Sequence, residues 1–262
     1  MQENYVTING NKIRYIEEGR SDSTIVLLHG LGGMAERWLT VFPFLSKKHR
    51  VIAPDLIGYG KSDKPQIDYT AELFRKTMLE FLEVLSLQNV FMIGTSLGGE
   101  VVAECAAAQS PLIKKIILSS PAGIMKKSTP VLDAYIMAAL HPTSDSVKLA
   151  YQMMTGKNTE VKPESVENFI SSMERHNAKM VFLSTLLGMK NSPAITEKLG
   201  LVKIPTLIIW GSNDRMIPVE YSKDFVSSIP NSELVIMEGC GHIPYEERPL
   251  EFSKIALDFL SK

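Results

Sequence analysis

A glycine-bracketed serine, an aspartate and a histidine, each placed just after a predicted β-strand, have the types and spacing for covalent chemistry. The serine is Ser96 in Val90-Phe-Met-Ile-Gly94-Thr-Ser96-Leu-Gly98-Gly99, where an apolar β-type run stops and a helical pattern begins at once. Turning a strand into a helix within about one residue forces the serine into strained backbone, and side chains at Gly94 and Gly98 would strike neighbouring chain. The hydroxyl then stands clear of the turn. The following helix, Leu97 to about Gln109, aims its free N–H groups and positive end at the place where an oxyanion would form. The same five-residue pattern also occurs as an ordinary small-residue turn, so its partners decide.

A serine hydroxyl is a poor nucleophile at neutral pH and needs a base of pKa near 7 beside it. Imidazole supplies that base when a carboxylate fixes its tautomer. Asp214 ends Trp210-Gly-Ser-Asn-Asp214 after an apolar strand from Pro205, and His242 ends Gly239-Cys-Gly241-His242 after a strand at 233–237. Loops at the carboxyl ends of parallel strands open on one edge, so Ser96, Asp214 and His242 can meet there. The other four histidines fit the role badly. His49 lies in the polar turn Lys47-Lys48-His49-Arg50, His141 and His176 fall in a later helical stretch, and His29 reads as a brace for the glycine loop that follows it. Asp214 competes with a helix-capping reading, and Asp55 reads as a loop brace. The second oxyanion donor is assigned to the Leu31 N–H in His29-Gly30-Leu31-Gly32-Gly33, paired with the Leu97 N–H. Neither a P-loop lysine pattern nor a dinucleotide glycine spacing accompanies that loop.

The elements that must hold these residues are legible as alternation. Residues 4–17 alternate apolar and polar on both sides of Asn9-Gly10, a hairpin signal. Thr24–Leu28 is continuously apolar, as a strand buried on both faces would be. Then come a helix at about 34–46, a strand at 50–53, a helix at about 70–86, the strand before Ser96, its helix, and a strand at 114–119. Such βα alternation predicts a mostly parallel sheet with helices on both faces. Residues 124–200 break the alternation and read as short helices, with starts at Thr129-Pro130 and Lys162-Pro163 and stops at Gly156, Gly188 and Gly200. We read them as a helical cap inserted into a core domain made of residues 1–123 and 201–262. The cap holds seven of the thirteen methionines, side chains that adapt to apolar guests or simply pack the cap itself. A helix at about 219–228 and a terminal helix at about 249–261 complete the chain.

Composition narrows the class of partner. A net charge of -1 without like-charge runs offers no footprint for nucleic acid or an anionic membrane. Met1 leads into the polar Gln2-Glu3-Asn4 and no apolar run approaches membrane-spanning length, so neither export nor a membrane span is expected. Cys105 and Cys240 read as reduced thiols without metal-ligand spacing, which suits the cytoplasm.

The chain resembles the α/β-hydrolase fold serine hydrolases over essentially its whole length. The resemblance rests on His29-Gly30-Leu31-Gly32-Gly33, Asp55-Leu-Ile-Gly58-Tyr-Gly60-Lys-Ser62, Gly94-Thr-Ser96-Leu-Gly98-Gly99, Trp210-Gly-Ser-Asn-Asp214 and Gly241-His242-Ile-Pro244-Tyr-Glu246. Haloalkane dehalogenases and epoxide hydrolases place an aspartate where Ser96 stands, which disfavours their chemistry. Hydrolases of meta-cleavage products, which break C–C bonds, commonly carry a proline in the glycine loop and a tryptophan after the histidine, where this chain has Gly33 and Ile243. Perhydrolase-like members tend to carry a tryptophan where Leu31 stands.

The expectation is a cytoplasmic carboxylic ester hydrolase that needs neither cofactor nor metal and acts on a small, largely apolar ester through an acyl-enzyme. C–C bond hydrolysis or lactone hydrolysis on the same three residues is the first alternative. A weakly catalytic ligand sensor of the same fold is the second. The sequence leaves the oligomeric state open.

Overall fold

The computed structural model describes residues 1–125, 127–157 and 159–262. Strands β1 (Gln2–Ile8) and β2 (Asn11–Glu18) form the antiparallel hairpin. Its turn places Asn9 and Gly10 at φ 48° and 79°, the two left-handed positions that a tight hairpin turn requires. The parallel strands are β3 (Thr24–Leu28), β4 (Arg50–Pro54), β5 (Val90–Thr95), β6 (Ile113–Ser119), β7 (Thr206–Gly211) and β8 (Ser232–Met237). All eight lie in one sheet in the order β1-β2-β4-β3-β5-β6-β7-β8, with β2 antiparallel to β4.

Every residue of β3 and β7 is buried, as continuous apolar runs demand. Each such Val, Leu or Ile contributes roughly 2 kcal/mol of hydrophobic stabilisation, which fixes the sheet and hence the loops at its edge. The chain leaves β3 toward β4 and then returns to β5 on the other side. The crevice between diverging loops therefore opens beyond the carboxyl ends of β3 and β5, where Leu28 pairs with Gly94.

Helices α1 (Phe42–Leu45), α2 (Ala71–Val84) and α3 (Leu97–Ala107) connect the first strands. The single helix expected at 34–46 is split into a 3-10 turn, Ala35–Trp38, and the short α1. Met34 offers no capping side chain and Pro43, in the first turn of α1, has no N–H to continue a helix from upstream.

Between β6 and β7 lie α4 (Pro130–Leu140), α5 (Ser144–Met154), α6 (Pro163–Met173), α7 (Ala178–Asn191) and α8 (Thr196–Leu199). Thr129 caps α4 by accepting the Leu132 N–H at 3.2 Å, with Pro130 at the first helical position. Gly156 and Gly200 follow the ends of α5 and α8, but Gly188 is inside α7, contrary to its reading as a stop. A Cβ there would lie 2.2 Å from Tyr69 O, so Gly188 serves close packing of the helix on the 65–70 loop. The chain ends with a 3-10 turn at Val219–Tyr221, then α9 (Ser222–Ser228), α10 (Pro244–Glu247) and α11 (Pro249–Leu260).

Candidate active site

Ser96 sits between β5 and α3 with φ 52° and ψ -122°, a conformation that L side chains rarely adopt. Its neighbours enforce it. A Cβ on Gly94 would fall 2.2 Å from Gly98 O, and one on Gly98 would fall 2.2 Å from Leu28 O. The backbone of Ser96 is pinned on both sides: its N–H donates to Ser119 O at 3.1 Å, and its carbonyl accepts from Ala122 N at 2.9 Å and Glu100 N at 3.1 Å. The hydroxyl makes no capping bond to α3 and borders a cavity.

Asp214 and His242 come from the loops after β7 and β8. Asp214 Oδ1 accepts the Met216 and Ile217 N–H groups, each at 2.9 Å, which orients the carboxylate within its own turn. Its Oδ2 faces His242 Nδ1 at 2.8 Å. The sequence left capping and imidazole-orienting readings in competition; Oδ1 holds a turn and caps no helix, since the next helical segment starts at Val219 after Pro218, while Oδ2 faces the imidazole. Because a carboxylate only accepts, Nδ1 carries the proton and Nε2 presents its lone pair. Nε2 is buried and has no hydrogen-bond partner among the described residues. His242 and Ser96 line the same cavity but are not hydrogen-bonded to each other, an arrangement that commonly tightens only with substrate. The His242 loop is pinned despite its two glycines: His242 N donates to Met154 O at 2.7 Å, and Gly241 N to Glu247 Oε1 at 2.9 Å.

The glycine loop after β3 lies against the serine; a Cβ on Gly30 would come 3.2 Å from Ser96 Cβ. His29 Nδ1 lies 2.8 Å from Gly30 O, and its Nε2 accepts the Leu56 N–H at 3.1 Å. Those partners assign the Nδ1–H tautomer. Burial pushes its pKa down to about 4. Asp55, also expected as a brace, accepts from Ala35 N at 2.7 Å and Lys61 N at 2.8 Å and lies 3.4 Å from Arg14 Nη1. The Leu31 and Leu97 amides make no hydrogen bond among the described residues, which leaves both donors unspent.

The cavity measures about 80 Å³ and is mostly apolar, with Leu132, Leu186, Ile217 and Ile243 in its wall. Of the seven methionines in 124–200, Met125, Met154 and Met189 line it, whereas Met137 is 57% exposed. Sequence reasoning missed Arg37, Tyr135 and Tyr245, which also line the cavity. Arg37 Nη1 donates to the Tyr151 hydroxyl at 2.5 Å, and its Nε lies 2.8 Å from Glu246 Oε1. The Arg37–Glu246 contact is an ion pair only, since Glu246 Oε1 receives no well-aimed hydrogen among the described residues. Burial opposes the Arg37 charge, but the Glu246 carboxylate and nearby tyrosines outweigh it and hold the guanidinium protonated. No helix among the described residues is long and apolar enough to cross a membrane.

Sheet order, strained serine turn and converging loops define the α/β-hydrolase class. The family model for the alpha/beta hydrolase fold matches residues 23–249, and the chain belongs to that family. It is 28% identical over 276 aligned positions to 2-hydroxy-6-oxo-6-(2'-aminophenyl)hexa-2,4-dienoic acid hydrolase of Metapseudomonas resinovorans, covering 99% of this chain and 91% of that one. It is 26% identical over 262 positions to a 2-hydroxy-6-oxononadienedioate/2-hydroxy-6-oxononatrienedioate hydrolase of Paraburkholderia xenovorans, covering 95% and 91%. Among solved structures it is similar to a serine hydrolase involved in carbazole degradation, with TM-score 0.86, 25% identity and coverage of 99% and 98%. The protein is thus a hydrolase of this fold.

Proposed function

We propose that Ser96, His242 and Asp214 form a nucleophile, base and orienter that hydrolyse a bond to a carbonyl carbon. The observation that carries the reading is the buried His242 ring, its Nδ1 held by Asp214 at 2.8 Å and its Nε2 without a partner among the described residues, in a residue that lines the same cavity as Ser96. Ser96 Oγ adds to the carbonyl carbon as Nε2 takes its proton, and the Leu31 and Leu97 amides hold the oxyanion. The imidazolium returns the proton to the departing group. Water, activated by the same nitrogen, then releases the acid from Ser96.

We propose that the bond broken is C–C in a vinylogous diketone. The relatives bear the names of dienoate and dienedioate hydrolases, which supports this over simple ester cleavage. A carbon can leave only if its electron pair is delocalised into a conjugated carbonyl, so such a substrate supplies the leaving group that the protein does not have to stabilise alone. Arg37, the only arginine or lysine lining the cavity among the described residues, is the group available to a substrate carboxylate. The second reading is ester or lactone hydrolysis on the same residues. Gly33 and Ile243, where C–C hydrolases commonly carry proline and tryptophan, and the largely apolar wall favour it. In both cases the helices between β6 and β7 act as a cap over the cavity.

A panel of p-nitrophenyl esters, lactones and a vinylogous diketone tests these readings with Ser96→Ala as control. The expected result is steady turnover, fastest on the diketone, and its loss in Ser96→Ala. Preference for the esters or lactones would select the second reading. Wild-type turnover by Ser96→Ala would remove both, and a single slow acylation without turnover would favour a ligand sensor.

A further inference from the structure

Leu31, the residue proposed to give one oxyanion donor, is held through both of its peptide bonds by groups from different parts of the molecule. The peptide that carries its N–H has Gly30 O as its other end, and that oxygen accepts from His29 Nδ1 at 2.8 Å and from Gly33 N at 3.0 Å. Both of those groups belong to the glycine loop itself. The next peptide has Leu31 O as acceptor, and it is taken by the Tyr135 hydroxyl at 2.6 Å, from the middle of α4 and 104 residues away in sequence. Tyr135 is buried in an aromatic cluster, its ring centroid 5.2 Å from that of Phe169 and 6.2 Å from that of Phe182.

The same three rings wall in the next residue. Gly32 has φ +70°, and a Cβ there would stand 3.0 Å from Phe169 Cε2, 3.1 Å from the Tyr135 hydroxyl oxygen and 3.2 Å from Phe182 Cε2. The loop can therefore relax neither toward the helices nor, without breaking the Tyr135 bond, away from them. The inserted helices also reach the other two loops of the site. Thr129 Oγ1, at the start of α4, donates to Met216 O at 3.0 Å beside Asp214, and Met154 O, at the end of α5, accepts the His242 N–H at 2.7 Å.

We infer that Tyr135 is a positioning residue: its hydroxyl, by holding Leu31 O, keeps the Leu31 amide aimed at the oxyanion, so the inserted helices complete the oxyanion site as well as covering it. The inference rests on the proposed serine mechanism. Removing an oxyanion donor outright costs about 10²- to 10³-fold in kcat, and an anchor acting through that donor is worth a fraction of it, roughly tenfold.

Tyr135→Phe keeps the ring and removes the bond. The readouts are kcat and KM on p-nitrophenyl butyrate and the affinity of butaneboronic acid, which adds to a serine oxygen as a tetrahedral anion, measured by calorimetry. The expected result is a kcat about tenfold lower, KM within twofold of wild type, and boronate affinity weakened by the same factor as kcat. Phe169→Leu, which loosens the cluster but leaves the bond, controls for packing and should lower Tm with much less effect on boronate affinity. Wild-type kcat and boronate affinity in Tyr135→Phe would overturn the inference, as would an equal loss of boronate affinity in Phe169→Leu at matched Tm. Ser96→Ala separates the two levels: if it keeps turnover and boronate binding, the serine mechanism is wrong and the inference falls with it. If it loses them while Tyr135→Phe is unaffected, only the inference falls.

Discussion

His29 and His242 are both buried rings on loops that follow parallel strands at one edge of the sheet, yet their nitrogens are wired differently. His29 has both nitrogens engaged within the protein, Nδ1 toward Gly30 O and Nε2 toward the Leu56 N–H. His242 has one nitrogen engaged, by the Asp214 carboxylate, and one without a partner among the described residues. A saturated imidazole braces; an imidazole with a single carboxylate partner keeps a lone pair for a substrate proton. What separates the two is the partner that a neighbouring loop supplies, the Leu56 N–H to one ring and the Asp214 carboxylate to the other, since burial is nearly the same at 0% and 2% exposure.

The comparison is broken most directly by removing each ring in turn. His242→Gln is expected to lower kcat/KM by on the order of 10⁵- to 10⁶-fold, as loss of a base in a serine-type site does. A loss below about a hundredfold would mean that Nε2 is not the base. His29→Ala is expected to lower activity only about tenfold by loosening the glycine loop. It should also cost roughly 3 kcal/mol in urea unfolding, because it opens a cavity and leaves the buried Leu56 N–H unpaired. If His29→Ala were as inactive as His242→Gln while still folded, the bracing role would be wrong.

Glu100 sharpens the comparison with a smaller effect. It lies in the first turn of α3, four residues past Ser96, buried, with Oε2 unpartnered among the described residues, and burial raises its pKa to about 7. The native state then holds a proton that the unfolded chain releases above pH 4.5, so Glu100 makes stability fall as pH rises from 4.5 to about 7, by on the order of 3 kcal/mol. His29 acts with the opposite sign: its depressed pKa makes stability fall as pH drops from 6.5 toward about 4. Glu100→Gln should therefore leave stability rising more steeply with pH through that range, and His29→Ala should do the reverse. Unfolding curves at pH 4.5, 5.5, 6.5 and 7.5 check both signs, and unchanged slopes would contradict the burial of these groups.

Much of the fold was legible because local chemistry and final structure agree. Asn9-Gly10 needs left-handed backbone and turns a hairpin; Thr24–Leu28 is apolar on both faces and is buried on both. The turn at Ser96 was legible for the same reason, since Gly94 and Gly98 are required by contacts to backbone only a few residues or one strand away. Asp55 and His29 read as braces because each stands beside the turn it holds. Tyr135 and Arg37 were not legible. Their partners, Leu31 O and the Tyr151 hydroxyl, are 104 and 114 residues away, and no periodicity or motif encodes a hydrogen bond of that span. Gly188 misled because a glycine that admits Tyr69 O into a helix looks, in sequence, like one that ends it.

The claim on which the rest depends is that Ser96 is made nucleophilic by His242 and not by His29. Intact-protein and peptide mass spectrometry after exposure to an alkyl fluorophosphonate tests it. The account predicts one adduct per chain, on Ser96, formed rapidly in wild type and His29→Ala and slowed by at least a thousandfold in His242→Gln. Labelling of Ser96 at the wild-type rate in His242→Gln, or an adduct on another residue, would contradict it.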